Sequence, residues 1–291
     1  SFPTRRSSDL MQKIGIITDS ASDITNDIIE KYNIKVAPFR IIYSGKEYED
    51  KVDITPEEVY SSLHKEIPTT SLPNVKRINE ILDEFEKEGY THVISINISS
   101  ALSGTSNSIR LVLEDHPKLT SFVFDTKTLT MAEGCLVIEA AKLVEEGKTF
   151  EEIVSILPTL RPKVQCYFTL NTLEYLKKGG RIGKVSGTIG EILSLKPIIE
   201  VGDDGVYNTY AKVRGRKQSL TKLRKILDSY LEKGKCNVWV LHGHSEEDCK
   251  DLYNSFKDLD NINNIETGSI GPALGVHTGP GLVGFIVQEV E

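Results

Sequence analysis

The sequence predicts an α/β protein of two domains, an N-terminal one with a mostly parallel sheet flanked by helices and a C-terminal one with a mixed sheet and helices. Three observations lead there. Between residues 13 and 160, short apolar runs alternate with amphipathic segments, the pattern of successive βαβ units. In the second half, Gly202-Asp203-Asp204-Gly205 separates two strand-like runs, a hairpin signal that calls for an antiparallel pair. Between the halves, Pro158 and Pro162 close a helical pattern and mark a junction. The domains are therefore residues 11–160 and 161–291. Residues 1–10, SFPTRRSSDL, carry no helical or strand period and precede Met11, so they read as a non-native leader.

The elements follow in order. Residues 13–18 (KIGIIT) form a buried-strand run. A helix over 24–32 stops at Asn33, a residue that tolerates the left-handed cap, and 34–43 is extended. Thr55-Pro56-Glu57-Glu58 opens a helix with a capping box and proline at the first helical position. Val75, Ile78, Ile81, Leu82 and Phe85 share one face of a helix over 74–88, stopped by Gly89. Strands at 92–98 and 121–125 enclose a helix over 104–114, and an apolar helix spans 133–146. Thr149 and Glu152 form a second capping box. The second half adds strands at 165–170, 198–201, 206–210, 237–241 and 282–289, and helices at 171–178, 218–233 and 246–256.

Composition narrows the function. Lys and Arg total 35 against 42 Asp and Glu, a net charge of −7 that argues against a general nucleic-acid binder. No run approaches the ~20 apolar residues of a membrane helix, so a soluble protein is expected. Cys135, Cys166, Cys236 and Cys249 form no CxxC pair and read as buried free thiols. With no secretory signal visible, the expected compartment is the cytoplasm.

Four polar, small-residue segments follow apolar runs: Pro68-Thr-Thr-Ser-Leu-Pro73, Ser99-Ser-Ala-Leu-Ser-Gly-Thr105, Leu176-Lys-Lys-Gly-Gly-Arg-Ile182 and Gly275-Val-His-Thr-Gly-Pro-Gly281. The second lies between a strand and a helix, where an open sheet collects ligands and a helix start offers free N–H groups. Ser100, Ser103 and Gly104 there form a candidate anion cradle. Prolines stiffen the loop that carries Thr70, while Arg181 follows a Gly-Gly stop and His277 lies among glycines. Singly, these residues are compatible with an N-cap serine, a turn, a solvated arginine and a structural histidine. Neither a P-loop nor a dinucleotide fingerprint is met in 179–190, and His242-Gly-His244 has no thiolate pair beside it for zinc. The basic run with Lys212, Arg214 and Arg216 lacks interleaved aromatics, which disfavours nucleic acid and leaves a partner or phosphate contact.

Taken in order, Thr18-Asp19-Ser20, the Pro-Thr-Thr-Ser loop, Ser99–Thr105, Tyr175-Leu-Lys-Lys-Gly-Gly-Arg181, Lys212-Val-Arg-Gly215 and His277-Thr-Gly-Pro-Gly281 resemble the DegV family of bacterial lipid-binding proteins. The resemblance spans residues 13–289 and departs where Leu72 stands for the usual Gln and Asn74 for the common Ser. It implies a fatty acid buried between two α/β domains, its carboxylate held by Thr70 and Ser103, with Arg181 and His277 at the head-group end. It implies no cofactor and no metal. The protein would present its acyl chain to a separate ATP-dependent fatty acid kinase subunit, and the acyl phosphate would go to an acyltransferase of phospholipid synthesis, with only transient membrane contact. The competing reading is a stand-alone hydrolase or acyl- or phosphoryl-transfer enzyme using Ser103 and His277; it lacks a placed acid and a nucleophile elbow.

Overall fold

The computed structural model describes residues 12–188 and 195–290; the leader reading for residues 1–10 lies outside them. The N-terminal half runs β1 (Ile14–Asp19), α1 (Asn26–Tyr32), β2 (Lys35–Ala37), β3 (Arg40–Tyr43), β4 (Lys46–Glu49), α2 (Pro56–Ser62) and β5 (Thr69–Ser71). It continues with α3 (Val75–Lys87), β6 (His92–Asn97), α4 (Thr105–Leu113), β7 (Thr120–Asp125), α5 (Thr130–Glu145) and α6 (Phe150–Leu160). Strands β2-β1-β6-β7 form a wholly parallel sheet. Both predicted capping boxes are present, at Thr55 with Glu58 and at Thr149 with Glu152. Asn33 takes the left-handed cap with φ 49°. Gly15 lets α3 close on β1, since a Cβ there would stand 2.6 Å from the Phe85 ring.

Two local expectations are corrected. The extended run 34–43 breaks at Pro38-Phe39, so β2 joins the parallel sheet while β3 turns into a separate antiparallel sheet, β4-β3-β5. The proline-bounded segment 69–71, read as a loop, is the edge strand β5 of that small sheet. Helix α6 ends at Leu160, between Pro158 and Pro162 as expected; the missing N–H of Pro158 falls in its last turn, where the cost is confined to one bond.

The second half comprises β8 (Val164–Thr169), α7 (Glu174–Lys178), β9 (Leu195–Val201), β10 (Tyr207–Arg214), α8 (Arg216–Leu231) and β11 (Cys236–Gly243). It ends with α9 (Glu246–Phe256), β12 (Ile262–Ser269), α10 (Pro272–Thr278) and β13 (Leu282–Glu289). The sheet order is β10-β9-β8-β13-β11-β12, antiparallel throughout except for the parallel pair β11–β12. The predicted hairpin joins β9 to β10. Strand β12 and helix α10 have no counterpart in the sequence reading. β12 is a half-exposed edge strand without apolar alternation, and α10 holds Gly275 within a glycine-rich segment.

Helix α5 is buried on most of its faces and packs against β1 and β6 of one sheet and β8 and β13 of the other. One apolar cluster therefore runs through both halves, from Ile96 and Leu136 to Phe168 and Ile286. All four cysteines are free and buried. Among the described residues, no helix is long and apolar enough to cross a membrane.

Candidate functional site

Strand order reverses at β1, which has β2 on one side and β6 on the other. Segments leaving the carboxyl ends of β1 and β6 diverge there, and such a switch point opens a crevice. Ala21, just past β1, and Ile98, just past β6, line a cavity of about 250 Å³. Asp19 ties the two segments together, its Oδ1 accepting Ala21 N–H at 3.0 Å and its Oδ2 accepting Ile98 N–H at 3.0 Å.

The remaining walls come from distant parts of the chain. β5 brings Thr70, Ser71 and Leu72, and the loop before α4 brings Leu102 and Ser103. Arg181 follows α7, while α10 supplies Ala273, Leu274 and His277. Four predicted residues, Thr70, Ser103, Arg181 and His277, thus share one cavity. Among the described residues no carboxylate lines it, so Arg181 sets a positive local charge. Among the described residues Arg181 is held by backbone carbonyls, donating to Gly179 O from Nη1 at 2.5 Å and to Leu102 O from Nε at 3.3 Å.

His277 Nε2 lies 2.6 Å from Thr70 Oγ1, a contact across 207 positions of sequence. Its Nδ1 is buried without a partner among the described residues and lies against Gly179, where a Cβ would come within 2.2 Å of that nitrogen. Glycine at 179 is thus what admits the imidazole. Burial, and then the charge of Arg181, push the His277 pKa down to about 4, so the ring is neutral at neutral pH. Ser103 Oγ lies 2.8 Å from Thr105 Oγ1, and its backbone N–H donates to Ser99 O at 3.0 Å.

The other predicted residues lie elsewhere. Ser100 is exposed; its N–H donates to Asp125 Oδ1 at 3.0 Å and its hydroxyl is also turned to Asp125. Gly104 is the N-cap of α4, behind Ser103. Lys212 and Arg214 are exposed on the edge strand β10. Arg216 braces α8 to α9, donating to Asp248 Oδ2 from Nε at 2.9 Å and from Nη2 at 2.7 Å.

A second, almost wholly apolar void of about 30 Å³ shares part of the cavity's wall. Leu129, Tyr207 and Leu274 line both, and Phe168, Leu241 and Phe285 line only the second one. These apolar residues carry no motif and were invisible as site residues in the sequence. The arrangement is a polar, cationic head chamber with an apolar void beside it, fitted to an anion on a hydrocarbon stem.

Beneath the floor sits a buried pair of acids. Burial raises Asp19 to about 6. Glu133 accepts the Thr18 hydroxyl at 3.1 Å through Oε1, while its Oε2 has no hydrogen-bond partner among the described residues. Burial, reinforced by the charge of Asp19, pushes Glu133 well above the usual carboxylate range and favours its neutral form. A pKa raised on folding gives stability that is full below the unfolded value and is lost as pH rises toward the folded one. Glu133→Gln mimics the neutral acid, so its melting temperature should gain on the wild type between about pH 5 and about pH 8. A gap that stays constant in thermal melts at both pH values contradicts this.

Comparison with known proteins places the chain. The family described as uncharacterised protein, DegV family, matches residues 13–290. A DegV domain-containing protein of Clostridium perfringens is 50% identical over 279 residues, covering 96% of this chain and 99% of the relative. One from Clostridium acetobutylicum is 48% identical over 277 residues, covering 95% and 99%. Among solved structures, a fatty-acid-binding DegV family protein from Thermus thermophilus is 30% identical with a TM-score of 0.89, covering 96% of this chain and 100% of its own. A fatty acid binding DegV family protein from Streptococcus agalactiae is 31% identical with a TM-score of 0.88, covering 96% and 100%. A match over nearly the whole length, on a fold with one parallel and one mixed sheet, makes this chain a member of the DegV family.

Proposed function

We propose that this protein binds a long-chain fatty acid with its carboxylate among Thr70, Ser103, Arg181 and His277 and its tail directed past Leu274. The observation that carries this reading is that a cationic head chamber and an apolar void share three wall residues. About 250 Å³ accommodates on the order of ten to twenty water-sized groups. Each buried methylene contributes ~0.8 kcal/mol, so some fourteen give ~11 kcal/mol of gross transfer, enough to outweigh association costs. The relatives from T. thermophilus and S. agalactiae, both described as fatty acid binding, support the same ligand class.

The carboxylate is an acceptor without a hydrogen of its own, so the site must donate. Arg181 offers N–H groups and charge, and Ser103 offers a hydroxyl. With the proton on Nε2, neutral His277 donates to Thr70, which frees the threonine hydrogen for the carboxylate. Thr70→Val and Ser103→Ala should each weaken palmitate binding by ~1–3 kcal/mol, measured by calorimetric titration. Unchanged affinity in both removes them from the head-group site.

We further propose that the protein acts in the cytoplasm without independent catalysis. It presents the carboxylate to an ATP-dependent fatty acid kinase and passes the acyl phosphate to an acyltransferase of phospholipid synthesis, touching membranes only transiently. Lys212 and Arg214, exposed on β10, are the candidate partner or phosphate contacts. The enzyme reading is weaker, since His277 Nε2 bonds Thr70 and Ser103 bonds Thr105, which leaves Ser103 without a base, and no acid among the described residues orients the His277 ring through Nδ1. Acyl phosphate formed from ATP and palmitate only when this protein and such a kinase are combined supports the carrier role. Ester turnover by this protein alone, lost in His277→Ala, overturns it.

A further inference from the structure

We infer that Asp50, which does not line the cavity, is a positioning residue that sets the head-group site through helix α10; its functional meaning rests on the binding reading above. Asp50 is 1% exposed and sits behind the wall, where it joins three segments. Its Oδ2 accepts the Ser20 hydroxyl at 2.5 Å, and Ser20 precedes the wall residue Ala21. Its backbone N–H donates to Phe39 O at 2.8 Å, while Phe39 N–H donates to Ser20 Oγ at 3.0 Å. Its Oδ1 accepts the Ala273 N–H at 3.0 Å. Phe39 and Ala273 both line the cavity, so the carboxylate holds two pieces of its wall directly and the third, at Phe39, through Ser20.

The bond to Ala273 matters most because of what α10 carries. This helix has seven residues, too few to be stable alone, and Pro272 at its start has no N–H to donate. Its entry is held from the N-terminal half, by Asp50 on Ala273 and by Asp23, whose Oδ1 accepts Gly271 N–H at 3.0 Å. Two acids at a helix start also oppose the positive end of its dipole. Lys51 supports both by donating to Ser20 O at 2.9 Å and pairing with Asp23. Asp23 and Lys51 sit at φ 53° and 63°, a conformation that side-chain-bearing residues adopt only when surrounding contacts impose it. His277 lies four residues after Ala273, on the same helical face one turn on. A shift at Ala273 therefore passes to His277 and to its 2.6 Å contact with Thr70.

The test reads the site with and without ligand. In ligand-free protein, Asp50→Ala should move the His277 imidazole NMR signals, a readout that does not depend on whether palmitate binds. It should also lower palmitate affinity about tenfold or more. Asp50→Asn, which can still accept from Ala273, should restore both to near wild type. His277→Ala added to Asp50→Ala should cost far less than it does alone, because both act through one contact. Where Asp50→Ala does not fold, Ser20→Ala carries the test, with a smaller shift of the same signals expected. His277 signals that stay at their wild-type positions in the folded variant overturn the inference. Failure of wild-type protein to bind palmitate overturns the binding reading and leaves the positioning result standing.

Discussion

Leu274→Trp should abolish tight binding of long acyl chains and spare short ones. Leu274 borders both the head chamber and the apolar void, so an indole there crowds both. The void holds roughly two or three methylenes at ~0.8 kcal/mol each, and the indole also takes up room in the first chamber, so palmitate affinity should fall about 100-fold. Hexanoate, whose tail ends within the first chamber, should bind as weakly to the variant as to the wild type. Calorimetric titration with both acids checks the pair of outcomes. Equal losses for the two would mean that the variant damaged the head chamber, and full retention of palmitate would place the tail elsewhere.

Arg181→Gln should have the second largest effect and carries a signature of its own. The guanidinium is the only charged group in the cavity lining and has no carboxylate partner among the described residues, so it is available to an incoming anion. Loss of a charge-assisted hydrogen bond costs ~1.5–3 kcal/mol, on the order of ten- to a hundredfold in affinity. The charge of Arg181 also disfavours protonation of His277, which stands at about 4. Its removal should raise that pKa toward 6.5, the ordinary histidine value, with burial still holding it below. An NMR titration of the imidazole reads the shift directly, and an unmoved value would contradict the juxtaposition of the two side chains.

The elements that were legible in the sequence are those whose residues decide their own conformation. The parallel strands are continuous apolar runs, the capping boxes at Thr55 and Thr149 satisfy their helix starts locally, and the β9–β10 hairpin is written in its turn. Strand β5 is different: Thr69–Ser71 pairs only because β3 offers an edge, and its prolines suggest a loop. Helix α10 is held by Asp23 and Asp50 from more than two hundred residues away, so local propensity could not reveal it.

The candidate site divides in the same way. Thr70, Ser103, Arg181 and His277 stand out because hydroxyls and charges among glycines and prolines are unusual in a core. Leu129, Tyr207 and Leu274 are ordinary apolar residues whose importance comes only from facing the same void. Asp50 is hidden in the charged run Glu47–Asp53, where a solvated acid is the default reading, and only its burial sets it apart. Arg216 shows the converse, a basic residue in a promising run that the fold uses to join two helices.

Organic extraction of the purified protein, followed by mass spectrometry, tests the central claim most directly. An acyl chain bound in this cavity with its carboxylate under Arg181 predicts about one fatty acid per chain, or uptake of added palmitate or oleate to that level. Protein that yields no lipid and takes up neither acid contradicts it.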